Sequence, residues 1–173
     1  TTKGCMGHDE DFTRFAGNRW SMLVRSAVLL GSSVHEAEDL AQVVLTRCIV
    51  SWERLKKADN LDAYTYRILV NCLRDSRRRR WWGERPSADT PDRADPRDET
   101  ERIDVEDSVH RALGSLSRVN RSVVVLRFFA HLSEKQTAEV LGISTGTVKS
   151  RQSRALAQLS TNEHLTALLG RRT

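Results

Sequence analysis

The stretch HLSEKQTAEVLGISTGTVKSRQSRALAQL, residues 131–159, decides how this chain folds. Ser133 stands just before a helical run and Gln136 follows three residues later, so the two can close a capping box while Leu132 staples the entry. Gly142 follows Leu141, where a left-handed residue ends a helix. Ile143 can then tuck between helices, and Ser144 or Thr145 can cap a second one. A turn of about three or four residues between two helices is a helix-turn-helix. In the second helix Val148, Gln152, Ala155, Leu156 and Leu159 recur at helical spacing as an inward stripe, leaving Lys149, Ser150, Ser153 and Arg154 on the opposite face. Such cations reach phosphates or guanine edges, and such hydroxyls reach any base edge, so this face suits a major groove. The same residues also suit a solvated basic face on an ordinary helical hairpin.

A length of 173 residues allows one domain or two small ones, and 39% apolar with 29% charged residues marks a folded chain rather than a disordered one. No apolar run approaches the roughly 20 residues that cross a bilayer. The polar start lacks the apolar core of a secretory signal, so the expected setting is cytoplasmic, with no membrane partner. Cys5, Cys48 and Cys72 are widely spaced and form no CxxC pair. Cys48 and Cys72 fall on apolar stripes as small core residues. Cys5 with His8 makes only half a metal site, so neither metal nor cofactor is expected.

Charge is distributed unevenly. Residues 1–70 are balanced, 71–85 carry six cations against two acids, 86–107 carry nine acids against three cations, and 108–173 carry ten cations against three acids. Two basic regions flank an acidic one, which points first to a nucleic-acid partner.

The apolar positions Phe12, Phe15, Ala16, Trp20, Leu23, Ala27 and Leu30 predict a helix over about 11–30, ended by Gly31. Ser33 with Glu36 repeats the capping-box pattern ahead of a second stripe, Val34, Ala37, Ala41, Val44, Cys48, Trp52 and Leu55. Asp39, Gln42, Val43 and Thr46 lie together on its outer face. That face either docks on a basic or mixed partner helix or is merely solvated. Asn60 can cap a third helix with Leu61, Tyr64, Thr65, Ile68, Leu69 and Cys72 as its buried side, leading into Arg77, Arg78, Arg79, Arg80, Trp81 and Trp82. Arginines beside aromatics equip a surface for single-stranded nucleic acid, although the tryptophans can equally close the domain's own core.

Residues 86–107 hold Pro86, Pro91 and Pro96 and bury little, so they read as a flexible linker. After it come the stripe Val105, Val109, Ala112, Leu113 and Leu116, then a largely buried helix with Val119, Val123, Val124, Leu126, Phe128 and Phe129. The expected fold is all-α. It comprises a flexible tail (1–10), a helical domain (11–85), the linker (86–107), a helix-turn-helix domain (108–160) and a short tail (161–173) in which Leu165, Leu168 and Leu169 can pack back.

Four stretches together resemble the extracytoplasmic-function sigma factors of bacterial RNA polymerase, especially the SigE-like actinobacterial subfamily. They are Glu36 to Gln42, Asp62-Ala63-Tyr64 with Ile68 and Asn71, Leu126 to Phe129, and Leu141 to Arg151 with Arg154-Ala155-Leu156. The resemblance covers about residues 11–160. It implies a region 2 domain that binds core polymerase and melts the −10 element, and a region 4 domain that reads the −35 element. On that analogy Asp39, Gln42, Val43 and Thr46 dock on the β′ clamp helices, and a second contact falls on the β flap. The loop over residues 56–61 and the next helix hold the −10 element through Tyr64, Arg67, Asn71, Arg74, Arg77 and Arg78, with Asn71 near a flipped base. Lys149, Ser150, Ser153 and Arg154 read the −35 element. An anti-sigma factor is a further candidate partner. Leu116-Ser117 departs from the family's usual Leu-Pro, Tyr64 from its frequent tryptophan, and Gln152 and Ser153 from bulkier residues, so promoter preference does not transfer from relatives.

Two other readings stay open on the residues alone. A free-standing helix-turn-helix regulator accounts for 108–173 but leaves the arginine cluster idle. An enzyme acting on nucleic acid lacks any carboxylate cluster, HExxH motif or phosphate-binding glycine loop.

Overall fold

A computed structural model describes the backbone of residues 6–57, 60–83 and 100–170, and all secondary structure among them is helical. Cys5 and the segment 84–99, hence most of the expected linker, lie outside the described residues, as do the side chains of His8, Trp81 and Trp82.

Helix α1 (Met6–Leu29) begins earlier than its apolar stripe and buries Leu23 and Ala27, with Leu30 buried just beyond its end. Gly31 ends it at φ 100°, a conformation open to glycine at little cost. Helix α2 (Val34–Val50) starts at the expected capping box. The Glu36 N–H donates to Ser33 Oγ at 3.3 Å, and the Ser33 N–H donates to Glu36 Oε2 at 3.1 Å. Ala37, Ala41, Val44 and Cys48 are fully buried, whereas Val34 at the first position is exposed. Burial pushes the Cys48 and Cys72 thiols up, as befits inert core cysteines.

The second stripe does not run on to Leu55 in one helix. The chain leaves helical geometry at Ser51 and restarts as α3 (Trp52–Leu55), which turns both Trp52 and Leu55 into the core. Trp52 meets Phe12 edge-on at 5.3 Å and Phe15 at 5.1 Å between centroids, closing the end of the bundle.

Helix α4 (Leu61–Gly83) is capped by Asn60, whose Oδ1 accepts the Ala63 N–H at 2.9 Å. Its buried side differs from the expected one. Thr65, Leu69 and Cys72 are buried as read, but Leu61, Tyr64 and Ile68 are only half-buried, and Ala63, Tyr66, Val70 and Leu73 fill the core. The helix packs against α1, α2 and α7 together, so its buried arc is wider than a single stripe. Burying a leucine such as Leu69 contributes roughly 1.5–3 kcal/mol.

Helix α5 (Thr100–Gly114) starts within the stretch expected as linker. Helix α6 (Arg118–Val124) is capped by Ser117, which accepts the Asn120 N–H at 3.4 Å, and continues as a π-helical turn over Val125–Phe129. The extra residue of a π turn rotates the positions after it. Phe128 accordingly stands exposed instead of buried; Val119, near the start of α6, is exposed too. Helices α7 (Glu134–Leu141) and α8 (Thr145–Ser160) form the helix-turn-helix. Residues 163–170 form a further helix, α9 (Glu163–Gly170), packed on α5. Asn162 starts it by accepting the His164 N–H at 3.1 Å and anchors it by donating to Ser115 Oγ at 3.2 Å.

The two halves touch. Helix α4 lies against α7, with Arg74 Nη2 donating to the Leu141 carbonyl at 3.2 Å, and Arg25 pairs with Glu106 at 3.0 Å. Arg121 of α6 donates to the Leu29 carbonyl while Arg77 of α4 donates to that of Leu30 at 2.6 Å, so both guanidiniums converge on the carbonyl end of α1. Helix ends leave carbonyls without partners and carry partial negative charge, which arginine satisfies on both counts.

Candidate nucleic-acid interface

The helix-turn-helix is built by the residues that predicted it. The Gln136 N–H donates to Ser133 Oγ at 3.1 Å and the Ser133 N–H to Gln136 Oε1 at 2.6 Å. Gly142 adopts φ 68°, and Ser144 Oγ accepts the Thr147 N–H at 3.1 Å. Val148 and Ala155 anchor α8 in the core. Leu156, expected inside, is 42% exposed, because it falls at the edge of a seam narrower than the stripe assumed.

Lys149, Ser150, Ser153 and Arg154 are all exposed on one side of α8. Lys149 Nζ lies 3.6 Å from Glu134 Oε2, and Ser150 Oγ donates to the Thr147 carbonyl at 3.1 Å. An exposed pair of that length contributes little and leaves the lysine available to a phosphate or base. Behind this face Arg127 donates from Nε to Gln152 Oε1 at 3.1 Å and from Nη1 to the Leu132 carbonyl.

On α4, Arg67, Asn71, Arg74 and Arg78 recur at helical spacing and all are exposed, which makes a continuous basic line. Tyr64 is half-buried at its start. Arg77 is half-buried and engaged with Leu30, and Arg74 reaches Leu141, so two of the three expected phosphate ligands hold protein carbonyls here. On α2, Asp39, Gln42, Val43 and Thr46 form one exposed face, with Thr46 Oγ1 tied to the Gln42 carbonyl at 2.8 Å. Val50, one heptad beyond Val43 and 84% exposed, extends the apolar part of that face. An outward valine seven residues after another was a signal available in the sequence.

Residues 19–83 match the family described as Sigma-70 region 2, and residues 106–159 match Sigma-70, region 4. Over 158 residues the chain is 35% identical to the RNA polymerase sigma-E factor of Streptomyces coelicolor, covering 89% of this chain and 86% of that protein. It is 36% identical over 161 residues to the sigma-E factor of Streptomyces avermitilis, covering 89% and 87%. This chain is an extracytoplasmic-function sigma factor of the SigE type. As a sigma factor it binds core RNA polymerase and promoter DNA and directs promoter recognition and transcription initiation. The family is one of initiation factors rather than catalysts.

Two solved structures share the fold. The sigma factor RpoE of Bartonella quintana, in complex with the anti-sigma factor NepR, superposes with a TM-score of 0.74 at 27% identity, covering 91% of this chain and 98% of that one. CnrH, in complex with the cytosolic domain of CnrY, gives a TM-score of 0.66 at 23% identity, covering 95% and 91%; at that identity the likeness speaks for the fold alone. Among the described residues no helix of this sigma factor is long and apolar enough to cross a membrane.

Proposed function

We propose the following division of labour within the sigma factor. Residues 11–85 act on core polymerase and the −10 element, residues 108–160 act on the −35 element, and residues 86–107 join them. The exposed α2 face with Asp39, Gln42, Val43 and Thr46 docks on the β′ clamp helices, and the second domain meets the β flap. On α4 the line Arg67, Asn71, Arg74 and Arg78, with Tyr64 and Arg77 beside it, holds the opened −10 strand. Asn71 faces a flipped base and the arginines face phosphates. The unstacking cost of a few kcal/mol is offset by single-strand contacts. On α8 Lys149, Ser150, Ser153 and Arg154 read the −35 bases. The protein makes and breaks no bonds itself, works in the cytoplasm beside the polymerase, and is held in check by an anti-sigma factor, as the RpoE complex suggests by analogy.

The observation that carries this reading is the pairing of two basic helical faces, one in each domain, with a mixed acidic and apolar face on α2. Run-off transcription with purified core polymerase, combined with permanganate footprinting of −10 thymines, tests it. Asn71→Ala and the Arg67→Ala/Arg78→Ala pair should bind core normally and occupy the −35 element, yet leave the −10 thymines unreactive. Normal opening by both variants would remove α4 from the −10 element.

A further inference from the structure

Arg127 bridges three parts of the second domain. It leaves the π-helical turn after α6, donates to the Leu132 carbonyl at the entry to α7, and donates at 3.1 Å to Gln152 on α8. Leu132 is itself buried and returns its own N–H to the Leu126 carbonyl at 3.0 Å, so one end of this bridge is fixed in the core. The entry is further constrained at His131, a non-glycine residue at φ 53°.

Gln152 lies on α8 at the border between the buried seam, Val148 and Ala155, and the exposed face, Lys149 and Ser153. A guanidinium only donates, so the glutamine must present its carbonyl oxygen. A polar bond at the edge of a seam opposes rotation of a helix about its axis better than apolar contacts do, because hydrogen bonds are directional and dispersion is not. A roll of roughly 15° carries side-chain ends at a radius of about 5–6 Å through about 1.5 Å, half the length of a hydrogen bond. That displacement is enough to break a hydrogen bond to a base edge while leaving looser phosphate contacts in place.

We infer that Arg127, acting through Gln152, is a positioning residue that sets the roll of α8 and thereby the base preference at the −35 element. The inference rests on the assignment of α8 to that element. Arg127 itself touches no DNA, and a substitution there changes which bases are preferred rather than only how tightly DNA is held.

The test uses the full chain bound to core polymerase, selecting from promoters with a randomised −35 element and a fixed −10 element. Arg127→Ala and Gln152→Ala should each lower discrimination between the best and second-best base at least fivefold at one or more positions, with core affinity within about twofold. Gln152→Glu, which keeps an acceptor for the guanidinium, should restore the original preference. Should Arg127→Ala fold poorly, Arg127→Lys takes its place, since lysine keeps the stem and the charge but lacks the planar fork that bonds Gln152 and the Leu132 carbonyl together. Lys149→Ala and Arg154→Ala serve as reference. If they alter preference while both bridge variants only reduce occupancy uniformly, the positioning role is overturned and the assignment of α8 stands. If none of the four alters preference, that assignment fails and the inference falls with it.

Discussion

Replacing Gly31 by alanine tests the junction between the two halves most directly. Gly31 sits at φ 100°, where an L side chain costs roughly 1–2 kcal/mol, and a Cβ there would lie 3.2 Å from Arg121 Nη1 and 3.3 Å from Arg77 Nη2. Both guanidiniums are engaged with the carbonyls of Leu29 and Leu30, so neither can withdraw without loosening a charge-assisted bond of about 1.5–3 kcal/mol. Burial lowers the Arg121 pKa, so this guanidinium is already poorly hydrated where it meets the Leu29 carbonyl. Gly31→Ala should therefore cost about 2–4 kcal/mol, lowering the midpoint of thermal unfolding by about 5–15 °C for a chain of this size. Circular dichroism of the full chain reads the shift. The double variant Gly31→Ala/Arg121→Ala should be less unstable than the sum of its single variants, because the clash and the broken bond involve the same group. A shift below 2 °C for Gly31→Ala, or strict additivity in the pair, would refute this account of the junction.

Lys149→Ala and Arg154→Ala should each weaken promoter use by on the order of 1–3 kcal/mol for every base-edge hydrogen-bonding pair removed, measured as transcription from matched and mismatched −35 elements; unchanged use by both variants contradicts the reading face. Asp39→Arg should abolish binding to core polymerase in a gel-shift or fluorescence assay while leaving helicity intact, and retained core affinity would misplace the docking face. Burial, and secondarily the charge of Arg121, lowers the His110 pKa against an opposing pull from Asp107. Neutral His110 is thus favoured in the folded state. Its contribution is complete above the unfolded value near 6.5 and declines as pH falls from there through the folded value. Urea titrations at pH 7.5 and 5.5 should show the decline, and His110→Gln should reduce it.

The features legible in the sequence were those with a local chemical cause. Ser33 with Glu36, Ser133 with Gln136, Asn60, Ser117, Ser144 and Gly142 all cap where their side chains or backbone freedom require. Helix faces were legible only where a helix has few neighbours. Tyr66, Val70 and Leu73 on α4 escaped because three helices cover it from different sides, and a stripe pattern assumes one partner. Phe128 was misplaced because a π-helical turn leaves no mark in apolar spacing. The exposed face of α8 with Lys149, Ser150, Ser153 and Arg154 could be read from the helix-turn-helix pattern itself. For the Asp39 face the residues themselves showed only an exposed, mixed acidic and apolar surface, and the docking role proposed for it comes from family resemblance. Arg127 carried no signal beyond its place in the Leu126 to Phe129 motif, since its partners lie in different elements.

On the proposed assignment of α4 and α8 to the two promoter elements, the contact between α4 and α7 makes the folded chain too short a ruler for its own promoter. Elements named −10 and −35 are centred about 25 base pairs apart, which at 3.4 Å per step is roughly 85 Å of duplex. Here α4 touches α7, and α7 packs on α8, so the two basic faces stand only three helices apart. Neighbouring helix axes lie about 8–10 Å apart, so the whole stack spans roughly 30 Å. A straight promoter cannot be gripped at both ends by this conformation. With α4 on the −10 element and α8 on the −35 element, as proposed above, the bonds from Arg74 to Leu141, from Arg121 to Leu29 and from Arg25 to Glu106 must part before both elements are held at once, and one of those arginines, Arg74, then becomes available to DNA.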